Sequence, residues 1–197
     1  ALLRYSLAHS DSKVDLSRLK LSDLGDVTSP DKDEQKTITE LAAIAQKHRL
    51  LVALGGDNSI TYSVAKGVAA TGLITFDAHY DLRDGVSNGS PVRRLIESGL
   101  AGKNVVQIGI ADFSNSPQYA ERARELGITV IHRSELRGAS LEQVWKRALK
   151  IAGSRIHVDF DMDICDRSVV PACPAAAPGG ISADEIRQFA FLAGVSK

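Results

Sequence analysis

Short runs of mainly apolar residues, separated by stretches with helical patterns, recur along this chain of 197 residues. They predict strands at residues 50–54, 73–77, 105–110, 128–131 and 156–163. A strand that is apolar on both sides must be covered on both sides, and helical connections between parallel strands provide that cover. The sequence therefore predicts an α/β fold with a mostly parallel sheet, formed as one domain over residues 1–197.

Signals for helix starts fall between the predicted strands. Ser29-Pro30-Asp31 predicts the start of a helix that ends near His48, and Ser182 with Glu185 predicts the start of the last helix. Further helices are predicted at residues 60–70, 91–98, 117–126 and 140–152. The first residues resemble the middle of a helix and the last ones stop in or just after another, as expected of a fragment of a longer chain.

Composition excludes several classes of protein. Apolar residues make up 44% of the chain and charged residues 24%, with zero formal net charge and no basic patch for nucleic acid. No apolar run is long enough to span a membrane. Cys165 and Cys173 are too few for a disulfide framework. We therefore expect a cytoplasmic protein that acts on a small molecule, without nucleic-acid or membrane partners.

Polar residues close the apolar run at 73–77. If the strand continues through Asp77-Ala78-His79-Tyr80-Asp81, alternation places Asp77, His79 and Asp81 on one side. Two carboxylates and an imidazole that converge there repel one another and hold water poorly unless a cation lies among them. This segment therefore predicts ligands for a metal.

A second acidic segment strengthens that prediction. Over residues 156–163 the apolar residues occupy even positions, and Asp159, Asp161 and Asp163 occupy odd ones, roughly 6.6 Å apart along a strand. In parallel sheets, ligands bind at the carboxyl ends of strands, where the polar turn at residues 55–59 also falls. The sequence therefore predicts a divalent-metal site at this edge, while His157 is expected to be a buried core residue.

Three segments, in this order and spacing, resemble the signature blocks of the ureohydrolases, the family of arginase, agmatinase and formimidoylglutamase. They are Gly55-Gly56-Asp57-Asn58-Ser59, Asp77-Ala78-His79-Tyr80-Asp81, and Asp161-Met162-Asp163 followed by Asp166 and Pro178-Gly179-Gly180. The resemblance implies a three-layer α/β/α fold that here lacks terminal elements. It also implies two Mn²⁺ ions per chain and a homo-oligomer, a trimer or a hexamer.

The resemblance also implies roles for single residues. Asp77 and Asp161 would bridge the two ions, Asp81 would bind the first, and His79 and Asp163 would bind the second. Asp81 is in addition the candidate catalytic group that passes a proton to the departing nitrogen.

Position 58 departs from the family pattern. Asn58 stands where most of the family has His as outer ligand of the first metal, so we expect weaker binding there. Asn58 is either a weak ligand, a cap of the following helix, or both. Asp159 stands where a small hydroxyl residue is usual, and it is either a support for the site or polar filler.

The segment after Asp81 bears on the substrate. Arg83 and then Ser87-Asn88-Gly89-Ser90-Pro91 are similar to the formimidoylglutamase pattern, and the His that arginases and agmatinases place before this Gly is Asn88 here. An arginine can hold a carboxylate with two parallel hydrogen bonds, although Arg83 could equally be an ordinary surface residue. We therefore expect Arg83, Ser87 and Asn88 to bind substrate, and hydrolysis of N-formimidoyl-L-glutamate to L-glutamate and formamide, a step of histidine degradation.

Three other functions stay open on the sequence. An arginase- or agmatinase-type enzyme would release urea from a guanidino compound. A metal-poor pseudoenzyme would fit Asn58 and the missing His before Gly89. A doubly wound nucleotide-binding domain would use Gly55-Gly56 as an anion loop, but clustered carboxylates without metal would repel a phosphate.

Overall fold

The computed structural model describes residues 8–9, 14–15, 20–27, 30 and 32–196, the first two pairs by their backbone alone. The strands in these residues are β1 (Ala8–His9), β2 (Val14–Asp15), β3 (Gly72–Phe76), β4 (Val105–Ile110), β5 (Thr129–His132) and β6 (Ile156–Phe160). The α-helices are α1 (Glu34–Ala45), α2 (Ile60–Gly67), α3 (Pro91–Glu97), α4 (Pro117–Glu125), α5 (Arg133–Leu136), α6 (Leu141–Ala152) and α7 (Ala183–Val195).

Four strands form one parallel sheet in the order β5-β4-β3-β6. Phe76, the last residue of β3, pairs with Ile108 of β4 and with Phe160, the last residue of β6. The short strands β1 and β2 form a separate antiparallel pair. The predicted parallel sheet is confirmed, and its register brings the ends of β3 and β6 level with each other.

Alternate residues of the central strands face opposite layers of helices. Ile74 and Phe76 pack into a cluster with residues of α6 and α7, where the rings of Phe76 and Phe189 lie 4.6 Å apart between centroids. Leu73 and Val105 pack on the other side with residues of α2, α3 and α4. The sheet is therefore the middle of three layers, as its apolar strands predict.

The predicted strand at residues 50–54 is wrong within the described residues. This run joins no ladder, and Leu50, Val52 and Leu54 are exposed, the last at 92%. Apolar, strand-forming residues do not make a strand by themselves, because a strand also needs a neighbour that supplies hydrogen-bond partners.

The signals for helix starts are partly confirmed. Ser182 and Glu185 form the predicted capping box of α7. α1 begins at Glu34 with Asp33 as its cap, where Asp33 Oδ1 accepts from the backbone N–H of Lys36, so the predicted start at residues 29–31 is wrong. The helix expected at the start of the chain falls outside the described residues. Among those described, no helix is both long and apolar enough to cross a membrane.

Candidate metal centre

The first acidic segment is a turn and not a continued strand. β3 ends at Phe76, and the backbone then wraps around the carboxylate of Asp77, whose Oδ1 accepts from the N–H of His79 at 2.6 Å. Asp81 has φ +54°, a left-handed conformation that is uncommon outside glycine. Asp77 does come together with His79 on one side and with Asp81 on the other, but the predicted cause, alternation along a strand, is wrong.

The second acidic segment turns in the same way. β6 ends at Phe160, and a 3-10 turn follows from Met162 to Ile164. Asp161 caps that turn, because its Oδ1 accepts from the N–H of Asp163 at 2.9 Å. The turn carries Asp163 inward, where it is 4% exposed and accepts from the N–H of Ala78 at 3.0 Å. The two turns are therefore tied to each other through the carboxylate of Asp163.

Two amide side chains hold the first turn from β4 and the loop after it. Gln107 Nε2 donates to the carbonyl of Tyr80 at 2.8 Å. Asn115 Nδ2 donates to the carbonyl of Ala78 at 2.9 Å, and its Oδ1 accepts from the N–H of Tyr80 at 3.2 Å. Neither residue is among the site residues predicted from the sequence. A polar residue inside the apolar run 105–110 could have indicated Gln107, whereas the polar turn around Asn115 carries no such signal.

Three ligand atoms from these turns lie close together. One ligand atom from each of Asp77, His79 and Asp163 fits within 4.8 Å of the others. His79 Nδ1 lies 2.8 Å from Asp163 Oδ2 and 3.5 Å from Asp77 Oδ1. One ring N–H therefore stands between two carboxylates, at a place suited to a cation.

The other oxygen of Asp77 faces a second donor. Asn58 Nδ2 donates to Asp77 Oδ2 at 3.3 Å and to Asp81 Oδ2 by a short contact. Asn58 is not the side-chain cap of α2, because Ser59 is its N-cap residue and no side chain caps that end. The Asp77 carboxylate thus serves two neighbouring positions, one on the His79 side and one on the Asn58 side.

Burial and mutual repulsion oppose ionisation of this cluster. Burial, together with the charges of Asp163 and Asp161 and against the hydrogen bond from His79, raises the pKa of Asp77, 1% exposed, to about 7. Burial also raises the pKa of Asp81 well above its ordinary value, with the charges of Asp77 and Asp161 adding to it. The pKa of Asp161 is likewise raised, mainly by burial.

The imidazole of His79 offsets part of this negative charge. Its hydrogen bond to Asp163, and next that to Asp77, raise the imidazole pKa to about 10. Burial would raise the pKa of Asp163, but the hydrogen bonds from His79 and from the N–H of Ala78 lower it. A protonated imidazole therefore acts as the counter-cation on one side of Asp77, while the amide of Asn58 contributes a dipole on the other.

The donor set fits a hard divalent cation. It consists of carboxylate oxygens, one imidazole nitrogen and one amide group, and it contains no thiolate. Carboxylate and carbonyl oxygens favour Mg²⁺, Ca²⁺ and Mn²⁺ over soft metals, and an imidazole favours the transition metal of these three. The arrangement can hold two such ions that share Asp77. The ligand roles predicted for Asp77, His79, Asp81, Asp161, Asp163 and Asn58 stay predictions.

The loop after Asp81 gathers the residues predicted to bind substrate. The N–H of Arg83 donates to the carbonyl of Gly89 at 2.9 Å, and the Arg83 side chain lies over Gly89, where an added Cβ would meet its Cδ at 2.7 Å. Ser87 is half-buried, and Asn88 is exposed in the same loop. Within residues 32–196 the guanidinium of Arg83 forms no ion pair with a carboxylate. Its charge is therefore available at the surface.

Two glycine-containing turns have structural explanations. In the Gly55–Ser59 segment, Asp57 Oδ1 accepts from the N–H of Ser59 at 2.9 Å, so a carboxylate occupies what would be an anion loop. Asp166 Oδ2 accepts from the N–H of Gly179 at 2.7 Å, and a Cβ on Gly180 would lie 2.1 Å from the backbone nitrogen of Asp166. The first turn disfavours phosphate, and the second closes the loop after the metal-ligand turn.

His157 is half-buried in β6, its Nε2 is buried without a hydrogen-bond partner among the described residues, and burial lowers its pKa to about 4. Cys165 is a buried free thiol, and Cys173 is free as well.

Comparison with known proteins identifies relatives over most of the chain. The family model described as "Arginase family" matches residues 1–193. A curated formimidoylglutamase from Halalkalibacterium halodurans is 37% identical in an alignment that covers 96% of this chain and 65% of that protein. The chain thus spans 65% of the length of this relative.

Solved structures agree in fold. A formimidoylglutamase from Bacillus subtilis superposes with a TM-score of 0.85 and 32% identity, covering 93% of this chain and 63% of that one. Formiminoglutamase from Trypanosoma cruzi, solved with Mn²⁺, superposes with a TM-score of 0.85 and 25% identity, covering 96% of this chain and 68% of that one. The predicted three-layer α/β/α fold is confirmed by this likeness.

Proposed function

Because the chain belongs to the arginase family, we propose that it forms the metal-binding part of a hydrolase that cleaves C–N bonds of linear amidines. The proposed substrate is N-formimidoyl-L-glutamate, and the products are L-glutamate and formamide. The observation that carries the proposal is the convergence of Asp77, His79 and Asp163 at the carboxyl edge of the sheet. Similarity to formimidoylglutamases supports the choice of substrate.

The proposed cofactor is a pair of Mn²⁺ ions. Asp77 and Asp161 would bridge them, Asp81 and the Asn58 amide oxygen would complete the first position, and His79 and Asp163 the second. When bound, such ions acidify a water so that a nucleophile exists at neutral pH, and they polarise the amidine. The Mn²⁺ in the Trypanosoma cruzi structure supports this choice of metal.

Asp81 is the proposed proton carrier. It is 7% exposed, its carboxyl has a raised pKa, and its backbone is held in a left-handed conformation beside Asp77. The reaction forms a bond from water oxygen to the amidine carbon and breaks the bond from that carbon to the glutamate nitrogen. Asp81 would take the proton that the water releases and give it to this departing nitrogen.

The proposed substrate contact is Arg83. Its guanidinium has no carboxylate partner in residues 32–196, and it lies two residues beyond Asp81. Formimidoylglutamate carries two carboxylates, either of which a guanidinium can bind bidentately. Agmatine carries none and is cationic, so Arg83 would repel it. Ser87 and Asn88 belong to the same loop and are proposed as further contacts.

An assay of the Mn²⁺-loaded protein tests the proposal. Formimidoylglutamate, arginine, agmatine and 4-guanidinobutyrate are compared, with an EDTA-treated sample as control. We expect kcat/KM for formimidoylglutamate to exceed that for the other three by at least about 100-fold. Faster release of urea from a guanidino compound would replace the proposed substrate. No turnover by a protein that holds one ion or none after Mn²⁺ loading would favour the metal-poor pseudoenzyme.

We further propose, on the family resemblance, that the protein is a cytoplasmic homo-oligomer, a trimer or a hexamer. Light scattering coupled to size-exclusion chromatography tests the oligomeric state.

A further inference from the structure

The Asn58 amide faces the carboxylates with its nitrogen. Asn58 Nδ2 donates to Asp77 and Asp81, while Asn58 Oδ1 accepts from the hydroxyl of Thr61 at 2.8 Å. This orientation suits carboxylates without a cation, because an N–H donor offsets negative charge. It does not suit a cation between Asp77 and Asp81, since the amide would then direct its positive end at the ion. An ion at this position needs the amide turned by 180°, with Oδ1 inward.

Turning the Asn58 amide reverses the direction of its hydrogen bond with Thr61. Thr61 is 1% exposed and has a single hydroxyl proton. With Nδ2 of Asn58 inward, that proton goes to Asn58 Oδ1. With Oδ1 inward, Asn58 Nδ2 faces Thr61 and needs an acceptor, so the Thr61 oxygen accepts and its proton must go elsewhere.

Asp159 offers the acceptor that this second arrangement requires. Its Oδ2 is fully buried and has no hydrogen-bond partner among the described residues. The helix α2, which carries Thr61, packs on β6, which carries Asp159, and a hydrogen bond from the Thr61 hydroxyl lowers the pKa of this carboxyl against the larger effect of burial. One proton cannot serve Asn58 Oδ1 and Asp159 at once. The three side chains are therefore all satisfied only when the amide oxygen faces inward toward a cation.

Asp159 also belongs to a buried polar row across the sheet. In the parallel register Asp159 of β6 is level with Thr75 of β3, and Thr75 is level with Gln107 of β4. Thr75 Oγ1 and Gln107 Oε1 likewise have no partner among the described residues. Of this row, Asp159 is the member that Thr61 contacts, so Thr75 provides a matched control.

We propose that Thr61 and Asp159 are positioning residues that orient the Asn58 amide, with hydrogen bonds running from Asn58 Nδ2 to Thr61 and from Thr61 to Asp159. This relay directs Asn58 Oδ1 at the ion between Asp77 and Asp81. The proposal rests on the proposed function only through the metal centre, and it does not depend on the substrate.

The test is a titration of the metal-free protein with Mn²⁺, without substrate, in which electron paramagnetic resonance measures the free ion. The variants are Thr61→Val, Asp159→Ala, Asp159→Asn and, as control, Thr75→Val. We expect Thr61→Val and Asp159→Ala each to weaken one of two sites about 10-fold, the range of outer-sphere substitutions. Asp159→Asn keeps an oxygen acceptor and should stay within about 3-fold of the parent. Thr75→Val should leave both sites unchanged.

The outcomes separate a relay from a simple charge effect. Because both residues act through one path, the Thr61→Val/Asp159→Ala double variant should be no weaker than either single variant. Equal losses in Asp159→Asn and Asp159→Ala would overturn the proposal, since negative charge would then be the cause. An unchanged affinity in Thr61→Val, or additive losses in the double variant, would overturn it too. Two bound ions without turnover would count against the proposed function and leave the relay intact.

Discussion

The two oxygens of the Asp77 carboxylate face groups of different charge. On one side the ring of His79, with a pKa of about 10, places a positive charge between Asp77 and Asp163. On the other side the neutral amide of Asn58 lies between Asp77 and Asp81. Burial and the charges of neighbouring carboxylates raise the pKa of Asp81. On the His79 side the negative charge is therefore offset by a protonated imidazole. On the Asn58 side it is offset by protons on the carboxyl groups themselves. The comparison teaches that two ion positions sharing one ligand need not respond alike to pH or to substitution.

The largest effect is expected from Asp77→Asn, because it removes the ligand that both sides share. Mn²⁺ affinity should fall at both positions by more than about 100-fold, beyond the range of outer-sphere changes, and activity should be lost. Equilibrium dialysis with elemental analysis checks the stoichiometry. One fully retained ion would mean that the two sides do not share Asp77. Asp161→Asn should likewise abolish activity, and retained turnover would contradict its bridging role.

The next effect is the pH dependence of the His79 side. A metal must displace the imidazole proton, so above pH 7 affinity there should rise about 10-fold per pH unit until the pKa of about 10. His79→Asn should abolish that slope between pH 7 and 8.5 while leaving the Asn58 side unchanged. Isothermal titration in buffers of different ionisation enthalpy counts the released protons. The same slope in both proteins would refute the assignment.

The raised pKa of His79 also determines how the free energy of unfolding changes with pH. Since the folded value of about 10 exceeds the ordinary value of 6.5, the contribution of His79 is full below pH 6.5. It is lost as pH rises from 6.5 toward 10. The melting temperature of the metal-free protein should therefore fall as pH rises through that window. In the His79→Asn variant it should fall less.

A smaller effect is expected from Asn58→His. An imidazole is a stronger ligand than an amide oxygen, so affinity on the Asn58 side should increase about 10-fold and the two sides should become more alike. Mn²⁺ titration of variant and parent checks this result. No change in affinity would place Asn58 outside the ligand set.

The smallest effect on metal binding is expected from Arg83→Ala, because Arg83 lies outside both positions that flank Asp77. Mn²⁺ affinity should stay unchanged, while KM for an acidic substrate rises about 10-fold, since a charge-assisted hydrogen bond is lost. A neutral amidine, measured in parallel, should show no change. Equal increases for both substrates would remove Arg83 from substrate binding.

The carboxylate cluster could be predicted from the sequence, but the backbone that builds it could not. Asp77, His79 and Asp163 converge as expected, because acidic residues at adjacent strand ends of a parallel sheet must meet. Alternation along a strand was the wrong reason, since β3 and β6 end before the ligands. A sequence pattern reports which residues are polar, and the turn conformation depends on hydrogen bonds made by distant residues.

Two further differences have the same physical origin. Asn115 holds the first acidic turn through two backbone contacts, yet its place in a polar loop resembles any surface turn. The run at residues 50–54 has the composition of a strand but joins no ladder in the described residues. In both, the outcome depends on partners distant in sequence, which local composition does not encode.

The carboxylate of Asp77, held by His79 on one oxygen and by Asn58 on the other, couples the filling of its two neighbouring positions. An ion on either side would hold this carboxylate ionised and fix its plane, so a second ion would meet a ligand already oriented. Binding of an ion at one position should therefore change the Mn²⁺ affinity of the other position.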